Sequence, residues 1–102
     1  MPIISTKYYT TDDTIKKEAP DSAGVYALYS QGGDLIYYGM SESSIRTRIL
    51  RHNNGDEGAC TKAAWFFNFE RTTSPISRER ELIAEYKKAN SNKLPKCNEV
   101  IP

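Results

Sequence analysis

Two tyrosines, an arginine and histidine one helical turn apart, and a glutamate on an apolar helix face are the side chains in this sequence best spaced to act together. Tyr26 and Tyr37 lie in residues 24–39 (GVYALYSQGGDLIYYG), two runs of strand-forming residues joined through Gly-Gly. That pattern predicts a β-hairpin. With Gly32-Gly33 as a two-residue loop, Gln31 faces Asp34, Leu28 faces Tyr37 and Tyr26 faces Gly39. Tyr26 and Tyr37 then share one face as diagonal neighbours, and Gly39 leaves an open spot opposite Tyr26. Two phenols beside an opening can form a reactive site. In a chain with seven tyrosines, the alternative is a hairpin carrying aromatic core residues.

Ser41-Glu42-Ser43-Ser44 offers several N-caps for a helix over 45–52. At about 100° per residue, Ile45, Arg48, Ile49 and His52 form one arc, with Arg46, Thr47 and Arg51 outside it. Arg48 and His52 therefore sit beside the buried stripe, where each is either a functional group or a packing residue at the core edge. A last helix opens at Ser74-Pro75 and reaches Ala89. Ile76, Leu82, Ile83, Tyr86 and Ala89 define its apolar arc; Glu79 falls in the middle of it, and Glu81 on the solvated side. A core-facing carboxylate is costly unless a cation or strong donor compensates it. A metal ion and an ion pair with Arg48 are the two candidates.

The elements that position these residues read as follows. Residues 63–71 form a third strand, with Trp65, Phe67 and Phe69 on one face and Phe66 and Asn68 on the other. The fold class is α+β, a three-stranded antiparallel sheet flanked by helices. Residues 3–10 suit a short strand, and Thr11-Asp12-Asp13 starts a helical turn that Pro20 ends. This stretch packs on the sheet edge or against a partner. Residues 53–58 form a turn-rich loop, and residues 94–98 an extended tail.

At 102 residues the chain is long enough for one core, and 1–102 reads as a single domain with an N-terminal extension (1–22) and a core (23–98). Hydrophobic content of 38% and charged content of 26% suit a water-exposed globular domain. No apolar run is long enough for a membrane span or a secretory leader, so an intracellular protein without membrane contact is expected. Cys60 and Cys97 are far apart in sequence and there is one histidine, which disfavours a closed zinc site. Two free thiols are expected. A net charge of +1 implies weak non-specific DNA affinity unless basic groups cluster.

Gly24-Val25-Tyr26 and Tyr37-Tyr38-Gly39 resemble the two tripeptides of the GIY-YIG endonucleases, each substituted only at its middle residue. The resemblance extends through Arg48, His52, Glu79 and Asn98, in the family's order, and so covers most of the chain. It implies a metal-dependent DNA endonuclease that hydrolyses phosphodiester bonds. In that reading Tyr26 is the base or aligns the water, Arg48 binds the scissile phosphate, and Glu79 holds one Mg²⁺ or Mn²⁺. Tyr37 and His52 orient the phosphate or shuttle protons, and Asn98 buttresses the site. Met40 stands where some members carry a basic residue, so phosphate grip beside Gly39 is either weaker or supplied by Arg46, Arg51 or Lys62.

Family members often carry an additional DNA-binding domain, and none is visible here. The resemblance therefore implies a partner protein or a homo-oligomer supplying DNA affinity, or a substrate with an exposed structure such as a nick, flap or branch. The alternative is a catalytically silent nucleic-acid-binding or protein-interaction module on the same scaffold.

Overall fold

The computed structural model describes residues 1–99. Its four strands are β1 (Tyr8–Tyr9), β2 (Gly24–Tyr29), β3 (Leu35–Ser41) and β4 (Phe66–Arg71). The helices are α1 (Asp12–Glu18), α2 (Ile45–Asn53), α3 (Ala59–Lys62) and α4 (Pro75–Ala89). All strand pairs are antiparallel, in the order β1-β4-β2-β3. The sheet thus has four strands, not three, because Tyr8 and Tyr9 pair with Phe67 and Phe66. The N-terminal extension is part of the fold, and Ile3 is buried with the α4 side of the sheet.

β2 is buried along its whole length because both faces of the sheet are covered. Its side chains alternate, as a strand requires. Tyr26 and Leu28 pack with Ile15, Ile45 and Ile49 of α1 and α2. Val25, Ala27 and Tyr29 pack with Leu82 of α4. Phe67 and Phe69 lie on the α1–α2 side and Phe66 on the other, as the alternation predicts. Trp65 does not join them; it precedes β4 and is 46% exposed.

The hairpin differs from the expected two-residue turn. Ser30 N donates to Asp34 O, and Gly33 takes φ +88°, so the loop is Gln31-Gly32-Gly33 and Ser30, not Gln31, opposes Asp34. Gly33 supplies the left-handed backbone that closes such a loop. A bulge between Leu28 and Tyr29 then absorbs one residue, and Leu28↔Tyr37 and Tyr26↔Gly39 pair as expected. Ile36 and Tyr37 consequently lie on the same side of the sheet. Cys97 N donates to the carbonyl of Ile36.

α1 is capped by Thr11, whose hydroxyl accepts from Thr14 N, and α2 by Ser44, whose hydroxyl accepts from Thr47 N. Ser41 Oγ accepts from Ser43 N and Ser44 N, turning β3 into α2. Ser74 does not act as the expected side-chain cap of α4. Ile76 and Ala89 of the predicted apolar arc are exposed, and the buried part of α4 centres on Leu82.

Cys60 and Cys97 are not free thiols. They form a disulfide that ties α3 to the C-terminal tail. The pairing overturns the expectation of two free thiols; among the described residues no helix is long and apolar enough to cross a membrane. The bond spans 37 residues of sequence. Restricting a loop of that size in the unfolded chain stabilises the fold by about 2–4 kcal/mol. Cys60→Ser should lower the unfolding free energy by about that amount in urea titrations; an unchanged midpoint would mean the tail docks equally well without the bond.

Candidate active site

Gly39 lies across from Tyr26 on β3, and the space beside it is not open, as the sequence suggested. The Tyr26 ring fills it: a Cβ on residue 39 would overlap the end of the Tyr26 ring and approach Tyr37 Cε2 to 2.7 Å. Glycine is required here because the phenol passes directly over the neighbouring strand. Tyr26 is fully buried, and its hydroxyl reaches His52 Nε2 at 2.7 Å. On the other side of the imidazole, Nδ1 lies 2.8 Å from Thr61 Oγ1. The Tyr37 ring stacks obliquely on the imidazole, with centroids 4.9 Å apart.

His52 is 1% exposed and both of its ring nitrogens have partners inside the protein. With both nitrogens engaged, it offers no free nitrogen to a phosphate in this arrangement. Burial, with the charges of Arg48 and Arg51 adding to it, lowers its pKa from 6.5 to about 4. A neutral imidazole has one donor and one acceptor nitrogen.

Nothing in the resting protein lowers the Tyr26 pKa overall. Burial pushes it well above the ordinary 10.0, Tyr37 adds to that, and the Arg48 guanidinium beside it pulls partly back. Tyr26 is a neutral phenol in the resting protein. Tyr37 is likewise raised, first by burial and then by the nearby Glu79 carboxylate.

Arg48, half-buried on α2, has a buried Nε without a hydrogen-bond partner. With Arg51, Met40 and the 41–44 turn it lines a cleft of about 470 Å³. Arg51 also pairs with Glu57 at 3.3 Å. Arg46 is engaged elsewhere: its Nε donates to Ala19 O at 2.9 Å and joins α2 to the end of α1. Lys62 is exposed on α3, outside the residues lining the cleft, and its side-chain carbons lie against Gly55.

Glu79 is half-buried, and burial raises its pKa while Arg48 opposes the shift. Among the described residues it enters no hydrogen bond and no contact ion pair, so it is not paired with Arg48. Glu81 is 63% exposed and bonded to Arg78. No cluster of three metal-ligating side chains exists among the described residues. A lone, unpartnered, half-buried carboxylate nevertheless fits Mg²⁺ or Mn²⁺, which accept one or two protein oxygens and retain several waters.

Asn98 sits at the sheet edge. Its Oδ1 accepts from Tyr38 N and its Nδ2 donates to Tyr38 O, both at 2.9 Å. The side chain thus pairs with β3 as a neighbouring strand would, one residue from Tyr37. Tyr26, Tyr37, Arg48, His52 and Glu79 come together, Asn98 supports the strand beneath them, and Arg46 and Lys62 stand apart. Thr61 was missed by sequence reasoning. It lies in a four-residue helix with no periodicity to read, and only the fold brings it to His52.

The GIY-YIG catalytic domain, as a family model, matches residues 22–94. The chain belongs to the GIY-YIG family. No curated protein matches the chain. GIY-YIG domains are nuclease domains that act on DNA, and the matched segment contains every strand of this sheet except β1.

The pKa of His52, the chain's only histidine, can be followed by NMR and should lie near 4. An unfolded histidine titrates near 6.5, so on acidification the unfolded state takes up the proton first. Stability should be constant above about pH 6.5 and fall by up to about 3 kcal/mol as the pH drops from about 6.5 to about 4. A His52 resonance titrating at 6.5 would contradict the buried, neutral imidazole.

Proposed function

We propose that this GIY-YIG domain is a metal-dependent DNA endonuclease. The observation that carries the reading is the buried Nε of Arg48, without a hydrogen-bond partner beside the Tyr26–His52 pair. A guanidinium cannot escape its charge by losing a proton, and a phosphate is the natural partner for its planar set of donors. Phosphodiester hydrolysis needs a proton acceptor for water, a cation at the phosphoryl oxygens, and charge neutralisation at the leaving oxygen.

Each need has a candidate. Arg48 binds the scissile phosphate. Tyr37, held protonated, donates a hydrogen bond to a phosphoryl oxygen. The Tyr26 oxygen accepts the proton of the attacking water while the Tyr26 proton passes to His52 Nε2. The new bond joins the water oxygen to phosphorus as the ester oxygen departs. No free tyrosinate is needed, which suits a phenol whose pKa burial has raised. The phosphate also offsets the positive charge of Arg48 and Arg51, two of the three causes that lower the His52 pKa. Binding therefore makes the imidazole a better acceptor. Glu79, completed by waters, would hold Mg²⁺ or Mn²⁺, whose charge supports the phosphoryl and leaving oxygens.

With net charge +1 and Arg48 and Arg51 the only basic residues lining the cleft, beside the acidic Glu42, DNA affinity is weak. A nick, flap or branch, a partner protein or a second copy of the chain would supply the remainder. The slope of log affinity against log salt should correspond to about two to four phosphate contacts. A many-contact slope would reveal a basic surface outside the cleft.

Cleavage of nicked and branched DNA with and without Mg²⁺ or Mn²⁺ tests the whole reading. Arg48→Ala should lower the rate about a hundredfold or more with the fold intact. Glu79→Gln should abolish the metal-dependent reaction, whereas Glu81→Gln, which removes a surface partner of Arg78, should leave it nearly unchanged. Activity lost in the Glu81 variant and kept in the Glu79 variant would reverse the metal assignment. DNA binding without cleavage under any metal would leave the silent module.

A further inference from the structure

Thr61 closes the hydrogen-bonded chain that runs from Tyr26 through His52, and none of the steps above uses it. It is 1% exposed, and its hydroxyl oxygen lies 2.8 Å from His52 Nδ1. We propose that Thr61 is a positioning residue that holds His52 in the Nδ1–H tautomer, so that Nε2 stays bare to receive the Tyr26 proton. Its consequence for cleavage rests on the relay reading given above.

The direction of the chain follows from its ends. Arg48, beside the Tyr26 oxygen, carries only donors. The single phenol proton must therefore go elsewhere, and Nε2 at 2.7 Å, in hydrogen-bond geometry, is favoured over the nearby Tyr37 hydroxyl. An Nε2 that accepts leaves the imidazole proton on Nδ1, and Thr61 Oγ1 is the acceptor there. The opposite tautomer would place the Nε2 hydrogen on the Tyr26 oxygen and turn the phenol hydrogen toward the neighbouring Tyr37 hydroxyl, taking that proton out of the relay.

The placement of Thr61 is secured by its surroundings. α3 has only four residues, too few to be stable alone. Gly58, at φ +103°, starts it, and its first turn is closed by Lys62 N to Gly58 O. Ala64 N donates to Thr61 O, and the adjacent Cys60 is cross-linked to Cys97. A hydroxyl on a short, pinned turn is a fixed acceptor, as the residue orienting a reactive histidine must be.

Thr61→Val keeps the shape of the side chain and removes the hydroxyl; Thr61→Ser keeps the hydroxyl. Because His52 is the only histidine, its two nitrogens can be assigned in the ¹⁵N-labelled full chain from long-range ¹H–¹⁵N correlations near neutral pH. The wild type and Thr61→Ser should show a protonated Nδ1 and a bare Nε2. Thr61→Val should show the reversed or an averaged pattern. The Thr61→Val cleavage rate at saturating DNA should fall about tenfold to a hundredfold with DNA affinity unchanged, and Thr61→Ser should restore it.

A protonated Nε2 in the wild type overturns the proposal whatever the cleavage data. So does a Thr61→Val protein with unchanged tautomer and unchanged rate. If Thr61→Val does not fold, the wild-type and Thr61→Ser spectra decide. If the tautomer responds as stated but the wild type cleaves no DNA, the nuclease reading fails and the positioning by Thr61 stands.

Discussion

The passage of the Tyr26 ring over Gly39 sets the geometry on which the candidate site depends. β2 is covered on both sides, so a residue as large as tyrosine at its middle has little room. The missing side chain at position 39 provides that room and directs the phenol along the sheet toward α2. There its hydroxyl meets an imidazole that α2 presents from the buried side of the helix. The steric demand of two adjacent strands thereby becomes a hydrogen bond between two groups that can exchange a proton.

The same burial has a consistent electrostatic effect. It raises Tyr26, Tyr37 and Glu79 and lowers His52, in each case favouring the neutral form. Arg48 cannot respond in that way, so it is the fixed positive charge among shifted neighbours. The Arg48 Nε, buried without a hydrogen-bond partner among these neutral groups, is the feature on which the proposed phosphate-binding role rests.

β3 is both the edge of the sheet and the carrier of Tyr37 and Gly39. An uncovered edge strand frays and invites foreign pairing. Here the tail covers it: Asn98 binds both backbone groups of Tyr38, and Cys97 N binds Ile36 O at the bulge. The disulfide then carries this support to α3, next to Thr61. One cross-link thus connects the brace beneath Tyr37 with the hydroxyl behind His52.

Local pattern in the sequence already specified much of this protein. The two strand-forming runs of residues 24–39, the polar stretches before α1 and α2, and the 3.6-residue spacing of Ile45, Arg48, Ile49 and His52 depend on neighbours in the chain, and the hairpin and both helices form. The pairing of Tyr26 with Gly39 was legible for the same reason, although the loop and bulge between them exchanged one residue. What the sequence left undetermined depends on distant contacts. Whether Cys60 and Cys97 meet, whether Gly39 faces empty space or a ring, and whether Arg46 points to a ligand or to Ala19 are decided by how α1, α2 and the tail pack. The charge states are tertiary as well, because desolvation comes from the whole core and not from adjacent residues. Residue types and their order marked the family; only packing decided that Tyr26 is a neutral phenol hydrogen-bonded to a neutral His52, with Thr61 behind it.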